Sequence, residues 1–280
     1  MEHFTGCAPE HIYDLFDRGC SGSVAMVNSQ GMYLALGESL VLLCSSRFGV
    51  VPNGAALCRW ERLPGLLAPG EPVQLRDLVL TLPSGSIRLE LQRICRETCI
   101  CIPEKGALHG ALEQLLAQTG ETGLSALVYP LFSPEVHPLN ACCQLALPLV
   151  QELLRSLQTG DIPLLRRCVC SLLGLGPGLT PSGDDLLCGL VYGLRHSPAR
   201  DTAACAALSA AIREFAPRQT NAVSADYLLA VAADAPFRAM ARAWQTPGVG
   251  AASLMELGSN SGREMLLGLL CAGSIYRQLL

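Results

Sequence analysis

Lysine is almost absent from this 280-residue chain: Lys105 stands alone, and arginine carries the rest of the positive charge. Charged residues of both signs make up only 16%, and the formal net charge is −4. A general nucleic-acid binder needs a basic face to neutralise phosphates, so that class is excluded. Aromatic residues are scarce, at 5%, and the core must be built from Leu, Ala and Val. No apolar run reaches the roughly 18–20 residues that span a bilayer without Gly, Pro or charge intervening. The opening MEHFTGCAPEH has neither the basic nor the apolar region of a signal peptide. The expectation is a cytoplasmic protein that binds neither nucleic acid nor membrane.

Cysteine, by contrast, is plentiful, with 14 residues. Without export these thiols stay reduced. Cys95, Cys99 and Cys101 fall at an expected strand and its edge, Cys168 and Cys170 in an apolar helix, and Cys142 and Cys143 are adjacent. No CxxC pair meets a second pair, and His3, His11, His109, His137 and His196 are scattered. No metal site is read from them; most are small buried hydrophobes.

The first hundred residues read as strands. Ser23–Val27, Met32–Leu36, Leu40–Cys44, Val73–Leu75, Leu78–Leu82 and Ile87–Leu91 are short and rich in Val and Leu. Turn chemistry separates them at Asn28-Ser29-Gln30-Gly31, Gly37-Glu38 and Pro83-Ser84-Gly85. Ile94–Ile102 is one more candidate. After Pro103 the period becomes helical, over Gly106–Thr119, Leu139–Leu157, Ile162–Leu173, Pro181–Arg195, Thr202–Phe215, Ser224–Ala233, Phe237–Gln245 and Ser261 to the C-terminus. The fold expected is α+β: a small antiparallel β-barrel or sandwich over 1–103, followed by a mainly α-helical domain over 104–280.

Chemistry concentrates in Gly174–Gly189, GLGPGLTPSGDDLLCG. Gly174, Gly176 and Gly178 permit tight backbone. Thr180 reads as an N-cap and Pro181 as the first helical residue. The helix start, with Ser182 and Gly183, offers N–H groups and the positive dipole end to an anion. The sequence lacks the GK[ST] ending of a phosphate-binding Walker loop. Asp184 and Asp185 are ordinary first-turn acids on one reading. On another, one of them is a magnesium ligand or proton acceptor. Neighbouring helical positions point about 100° apart, which keeps both from serving one centre.

The pattern repeats. Ser182-Gly183-Asp184-Asp185 aligns with Ser261-Gly262-Arg263-Glu264 at an offset of 261 − 182 = 79 residues, and Gly189 aligns with Gly268. Gly258-Ser259-Asn260 precedes the second copy, and Thr220-Asn221-Ala222-Val223-Ser224 is a weaker third echo. Helices commonly begin with Ser or Asn, but three such starts suggest that Asn221, Ser224, Asn260, Ser261 and Gly262 converge with the first loop on one small anion. Pro52-Asn53-Gly54, after a strand, is either a plain turn or a loop that lets a ligand or partner approach.

GxGPGLTPSGDDxLxG, TNAVSxxYL and the C-terminal GxxSGxxxLLG together resemble a bacterial domain-of-unknown-function family that contains the third subunit (AllH) of oxamate carbamoyltransferase and its paralogue YahE. The match rests on Gly174–Gly189, Thr220–Leu229 and Gly258–Gly268, with Phe48–Gly54 a looser likeness to the family's FGPxG-type loop. The N-terminal opening and overall length look closer to the YahE branch. The resemblance implies a multi-subunit system, with an FdrA-like protein and a second large subunit as partners. Such a complex interconverts oxalurate plus phosphate with oxamate plus carbamoyl phosphate, in allantoin degradation. The present chain departs from the family at Arg263, near which AllH-type sequences tend to carry aspartate.

If the chain takes part in carbamoyl transfer, the Gly176–Ser182 backbone, Asn221 and Arg263 would steady an oxyanion. Asp184 or Asp185 would be general base or metal ligand. No cofactor is strongly implied, although magnesium is compatible. Three readings stay open: a subunit of a carbamoyltransferase-like complex, a non-catalytic subunit that docks an FdrA-like partner, and a stand-alone magnesium-dependent hydrolase or lyase.

Overall fold

A computed structural model describes residues 2–28, 31–37, 39–95, 100–101 and 103–277. The chain forms two compact units, Met1–Glu97 with Ala235–Ala239, and Thr98–Asp234 with Met240–Leu280.

The first unit is an eight-stranded barrel. Its strands are β1 (Glu2–Pro9), β2 (Cys20–Val27), β3 (Gly31–Leu36), β4 (Ser39–Ser45), β5 (Gly54–Leu57), β6 (Pro72–Arg76), β7 (Val79–Leu82) and β8 (Gly85–Ile94). They close in the order β1-β5-β4-β3-β2-β6-β7-β8. Closure decides for a barrel over a sandwich. It also corrects the purely antiparallel expectation, because β1 pairs parallel with β8 and β4 parallel with β5. The β1–β8 ladder joins the start of the unit to its last strand, from Glu2 opposite Ile87 to Pro9 opposite Ile94. Local alternation carries no signal for so distant a pairing.

The strand expected over Ile94–Ile102 ends at Ile94; residues 96–99 and 102 lie outside the described residues. Two other expected turns also fall partly outside them, at residues 29, 30 and 38. Inward positions of β6 and β8, such as Val73, Leu75, Ile87 and Leu89, are buried in one apolar cluster with Phe4, Leu34 and Leu43. Helix α1 (Glu10–Arg18), which strand patterning missed, adds Ile12 and Phe16 to that cluster. The returning segment Ala235–Ala239 is fastened by the Arg238 N–H, which donates to the Val50 carbonyl at 2.9 Å.

The second unit is helical. It contains α2 (Lys105–Ala117), α3 (Val128–Phe132), α4 (Ala141–Thr159), α5 (Ile162–Leu172), α6 (Ser182–Arg195), α7 (Ala203–Gln219) and α8 (Ala222–Ala232). Beyond these come α9 (Arg238–Gln245), of which the first residues belong to the barrel unit, α10 (Pro247–Met255) and α11 (Ser261–Arg277). Helix α10 falls where the sequence reading placed no helix, and Pro247 occupies its tolerated first turn.

Every residue of α6 from Ser182 to Leu194 is buried, as a helix enclosed by others must be. Its partner is α11, laid parallel to it. A Cβ on Gly189 would stand 2.0 Å from the Met265 carbonyl oxygen, and one on Gly268 2.1 Å from that of Leu186. One turn further on, a Cβ on Gly193 would stand 2.6 Å from the Ala272 Cβ. The third pairing lies on the 79-residue offset of the repeat (272 − 193 = 79), and the first two, at 265 − 189 = 76 and 268 − 186 = 82, are exchanged by it, so the repeated stretches pack against each other reciprocally. This packing sets the two helix N-termini side by side.

Candidate functional site

The loop before α6 turns on Gly174, Gly176 and Gly178, all at positive φ. The Gly183 N–H donates to the Leu175 carbonyl at 2.9 Å and draws the loop back over the helix start. Thr180 is not the N-cap. That position belongs to Pro181, which makes no side-chain capping bond. The Thr180 hydroxyl is engaged instead with the Ser261 hydroxyl on α11, at 2.9 Å.

Asp184 and Asp185 face different ways, as their helical spacing requires. Asp184, 1% exposed, ties three segments together. Its Oδ1 accepts the Gly174 N–H at 2.8 Å, and its Oδ2 accepts from the Ser224 hydroxyl at 2.7 Å and from the Thr220 hydroxyl. Burial pushes its carboxyl up, while Thr220, Ser224 and Gly174 pull it back down. Asp184 thus brings the third echo to the first loop. Within that echo Asn221 is the N-cap of α8, its Oδ1 accepting the Ser224 N–H at 3.1 Å.

Asp185, 2% exposed, faces α11. The Ser261 and Thr180 hydroxyls hydrogen-bond to it, yet its Oδ2 has no partner. Across the pair stands Glu264, 1% exposed, its counterpart in the repeat. Glu264 accepts from the Ser182 hydroxyl, and its Oε1 accepts the Leu124 N–H at 2.8 Å. The serines are therefore exchanged: each serves the acid of the other copy. Burial pushes Asp185 well above the usual carboxylate range, and the nearby Glu264 charge adds to this. Burial also raises Glu264, against the Ser182 and Leu124 bonds and Arg263. Both carboxyls are thereby raised.

The segment between α2 and α3 covers Glu264, and sequence reasoning passed over it. Gly123 sits at φ +79 with no room for a side chain: a Cβ there would lie 2.0 Å from the Glu264 Oε1 and 3.1 Å from the Ser182 Oγ. Asn140, the N-cap of α4, holds the same turn by donating to the Gly123 carbonyl at 3.0 Å. Glu264 itself could have been found from its alignment with Asp185; the covering segment has no counterpart in the repeat.

The remaining candidates are spread around this centre. The Asn260 Nδ2 donates to the Thr122 hydroxyl at 2.8 Å. Arg263 donates to the Ser259 carbonyl at 2.6 Å and to the Asn260 Oδ1 at 3.3 Å, and its buried Nε has no partner. Gly262 packs against α10, where a Cβ would stand 1.8 Å from the Leu254 carbonyl oxygen. Gly183 does the same against α5, at 2.0 Å from that of Leu172. Gly178 and Leu179 form the exposed tip of the loop, with Leu179 at 43%.

Pro52, Asn53 and Gly54 belong to the barrel unit. There the Asn53 Nδ2 donates to the Leu40 carbonyl at 2.9 Å, and Gly54 starts β5 pressed against the Leu42 carbonyl.

Among the described residues no group of three or more His, Cys, Asp or Glu side chains could hold a metal ion. Asp184 spends both oxygens on protein donors. A cavity of about 450 Å³ lies elsewhere in the helical unit, lined by Leu157, Leu194, Cys205 and Ser274 among others, and no candidate residue borders it. No helix among the described residues is long and apolar enough to cross a membrane.

Residues 172–273 match the model of a protein family described as oxamate carbamoyltransferase subunit AllH. The matched stretch opens on the last residue of α5 and runs into α11, so it holds all three helix starts. The family resemblance read from those motifs is thus borne out over this segment of the chain, and the looser likeness at Phe48–Gly54 lies outside it. No curated protein and no solved structure matches the chain.

Proposed function

We propose that this chain is a subunit of an oxamate-carbamoyltransferase-type complex, and that the paired N-termini of α6 and α11 are its contribution to a site for a small anion. The observation that carries the reading is the convergence of the repeated helix starts inside the segment matched to the AllH family. Two parallel helices add their positive dipole ends at one place. Carboxylates beside them would cancel that field. Burial raises the carboxyls of both Asp185 and Glu264, which weakens that cancellation and favours an incoming anion.

On this reading the residues around Gly176, Gly178, Thr180, Ser182 and Ser261 bind and orient, while Asp184 holds the loop to α8. Arg263, on the outer side of the α11 start, adds a cation near the rim. Developing charge in carbamoyl transfer is steadied by such fixed donors. The reactive groups themselves are shared with the partners, an FdrA-like protein and a second large subunit.

Reconstitution of the complex tests this. With the chain present, phosphorolysis of oxalurate to oxamate and carbamoyl phosphate is expected, and Ser182→Ala combined with Ser261→Ala should slow it by about tenfold or more, the scale of one hydrogen bond to a charged group. A reconstituted complex equally active without this chain would refute the assignment. Full activity in the double variant would leave the subunit in place and remove the site from it.

A further inference from the structure

The two acids at the α6–α11 junction are mates in the repeat, but their hydrogen bonding is unequal. Glu264 is completed from within the chain. The Ser182 hydroxyl and the Leu124 N–H both reach it, and Gly123 is pressed so closely that nothing else can enter. Asp185 is served by the Thr180 and Ser261 hydroxyls. Its Oδ2 is enclosed without a partner, in a side chain 2% exposed. An orphaned buried carboxyl oxygen costs free energy that the fold does not recover internally. The Gly176–Thr180 loop before α6 is latched to α11 by the Thr180–Ser261 contact.

We infer that Asp185 Oδ2 is the ligand-contacting atom of the site, donating its hydrogen to an oxygen of a bound small oxyanion, a carboxylate or phosphate, while Glu264 is a positioning residue that fixes Ser182 and the 120–125 segment. Two features support the direction of that bond. Burial raises the Asp185 carboxyl well above the usual carboxylate range, and Oδ2 is its oxygen without a partner among the described residues, so a hydrogen there has no internal acceptor. The adjoining helix N-termini offer donors only, so a ligand oxygen gains from every side. The inference rests on the anion-site reading above and adds which acid touches the ligand.

The test uses the full chain with inorganic phosphate and, in parallel, oxalate, each titrated by calorimetry. Asp185→Asn keeps a donor at the Oδ2 position and should retain affinity within about threefold, while Asp185→Ala should lose about tenfold or more. Glu264→Gln should bind as the parent does, because its amide oxygen still accepts from Leu124. Glu264→Ala should lose both affinity and thermal stability.

A measurement without substitution guards against misfolding of the variants. The Asp185 carboxyl carbon signal, assigned by its loss in Asp185→Asn, should move on phosphate addition while that of Glu264 stays. Equal loss in Asp185→Asn and Asp185→Ala would overturn the donor role. Unchanged binding in both, or an unmoved Asp185 signal on saturation, would overturn the contact while leaving the anion site standing. Should the parent chain bind neither ion, this inference fails outright, and the carbamoyl-transfer reading is then judged by the reconstituted complex alone.

Discussion

The starts of α6 and α11 are two copies of one construction that have been finished differently. In both, a glycine-led loop turns into Ser-Gly, the glycine packs on the preceding helix, and an acid three residues beyond the serine points across to the other copy. They differ in what surrounds the acid. Around α11, the segment 120–125 seals Glu264 with a backbone N–H. Around α6, no described residue does the same for the Oδ2 of Asp185. The second position of the repeat differs as well: Asp184 gathers Gly174, Thr220 and Ser224 inward, whereas Arg263 turns to the Ser259 carbonyl. The repeat supplies the closely packed pair, and the departures from symmetry lie in how completely each acid is hydrogen-bonded.

The largest effect should come from breaking the inner half of the comparison. Asp184→Ala leaves the Gly174 N–H and two hydroxyls without an acceptor, in a place closed to water. A loss of about 3 kcal/mol is expected in urea unfolding, against less than about 1 kcal/mol for Arg263→Gln at the matching, half-exposed position. Similar losses would mean that the two copies are not differentiated at this position.

Next, the reciprocal packing predicts equal damage from Gly189→Ala and Gly268→Ala. Each added methyl meets a backbone carbonyl at about the same distance, and overpacking of this kind costs about 1–3 kcal/mol. A neutral result for one of them alone would show that the pairing is not reciprocal.

The smallest effect sharpens the contrast between the acids. A carboxyl raised in the folded state binds more protons there than in the unfolded chain, so stability is greatest below its unfolded pKa of about 4. It then declines as pH climbs toward the folded value. Asp185 is pushed up further than its bonds can offset, so Asp185→Asn should flatten the fall in melting temperature above pH 4. Glu264→Gln should flatten it less, because Ser182, Leu124 and Arg263 already pull Glu264 down. Identical slopes in parent and Asp185→Asn would show that Asp185 is charged in the folded protein.

Much of this centre was legible beforehand, because its parts are local. Glycine spacing, the Ser-Gly-acid start and the 79-residue offset all lie on short stretches, and all of them reappear at the junction of α6 with α11 and α8. What escaped was whatever depends on distant residues. Thr180 lost its capping role because Ser261, far along the chain, competes for its hydroxyl. Glu264 was visible in the alignment yet was passed over for Arg263, since only burial distinguishes an acid sealed in a junction from one in water. Gly123 gave no local sign, because its φ and its lack of room are imposed by Glu264. The parallel β1–β8 and β4–β5 ladders escaped for the same reason.

By itself, then, the sequence determined the element types, the repeat and the three small-residue helix starts, since propensity, capping and periodicity act over a few residues. Tertiary structure alone decided that the two strongest starts face each other through exchanged serines, that the barrel closes through parallel pairs, and that Asp185 rather than its mate keeps an unpaired oxygen. Burial and hydrogen-bond completion are sums over everything packed around an atom, and no window of the chain contains that sum.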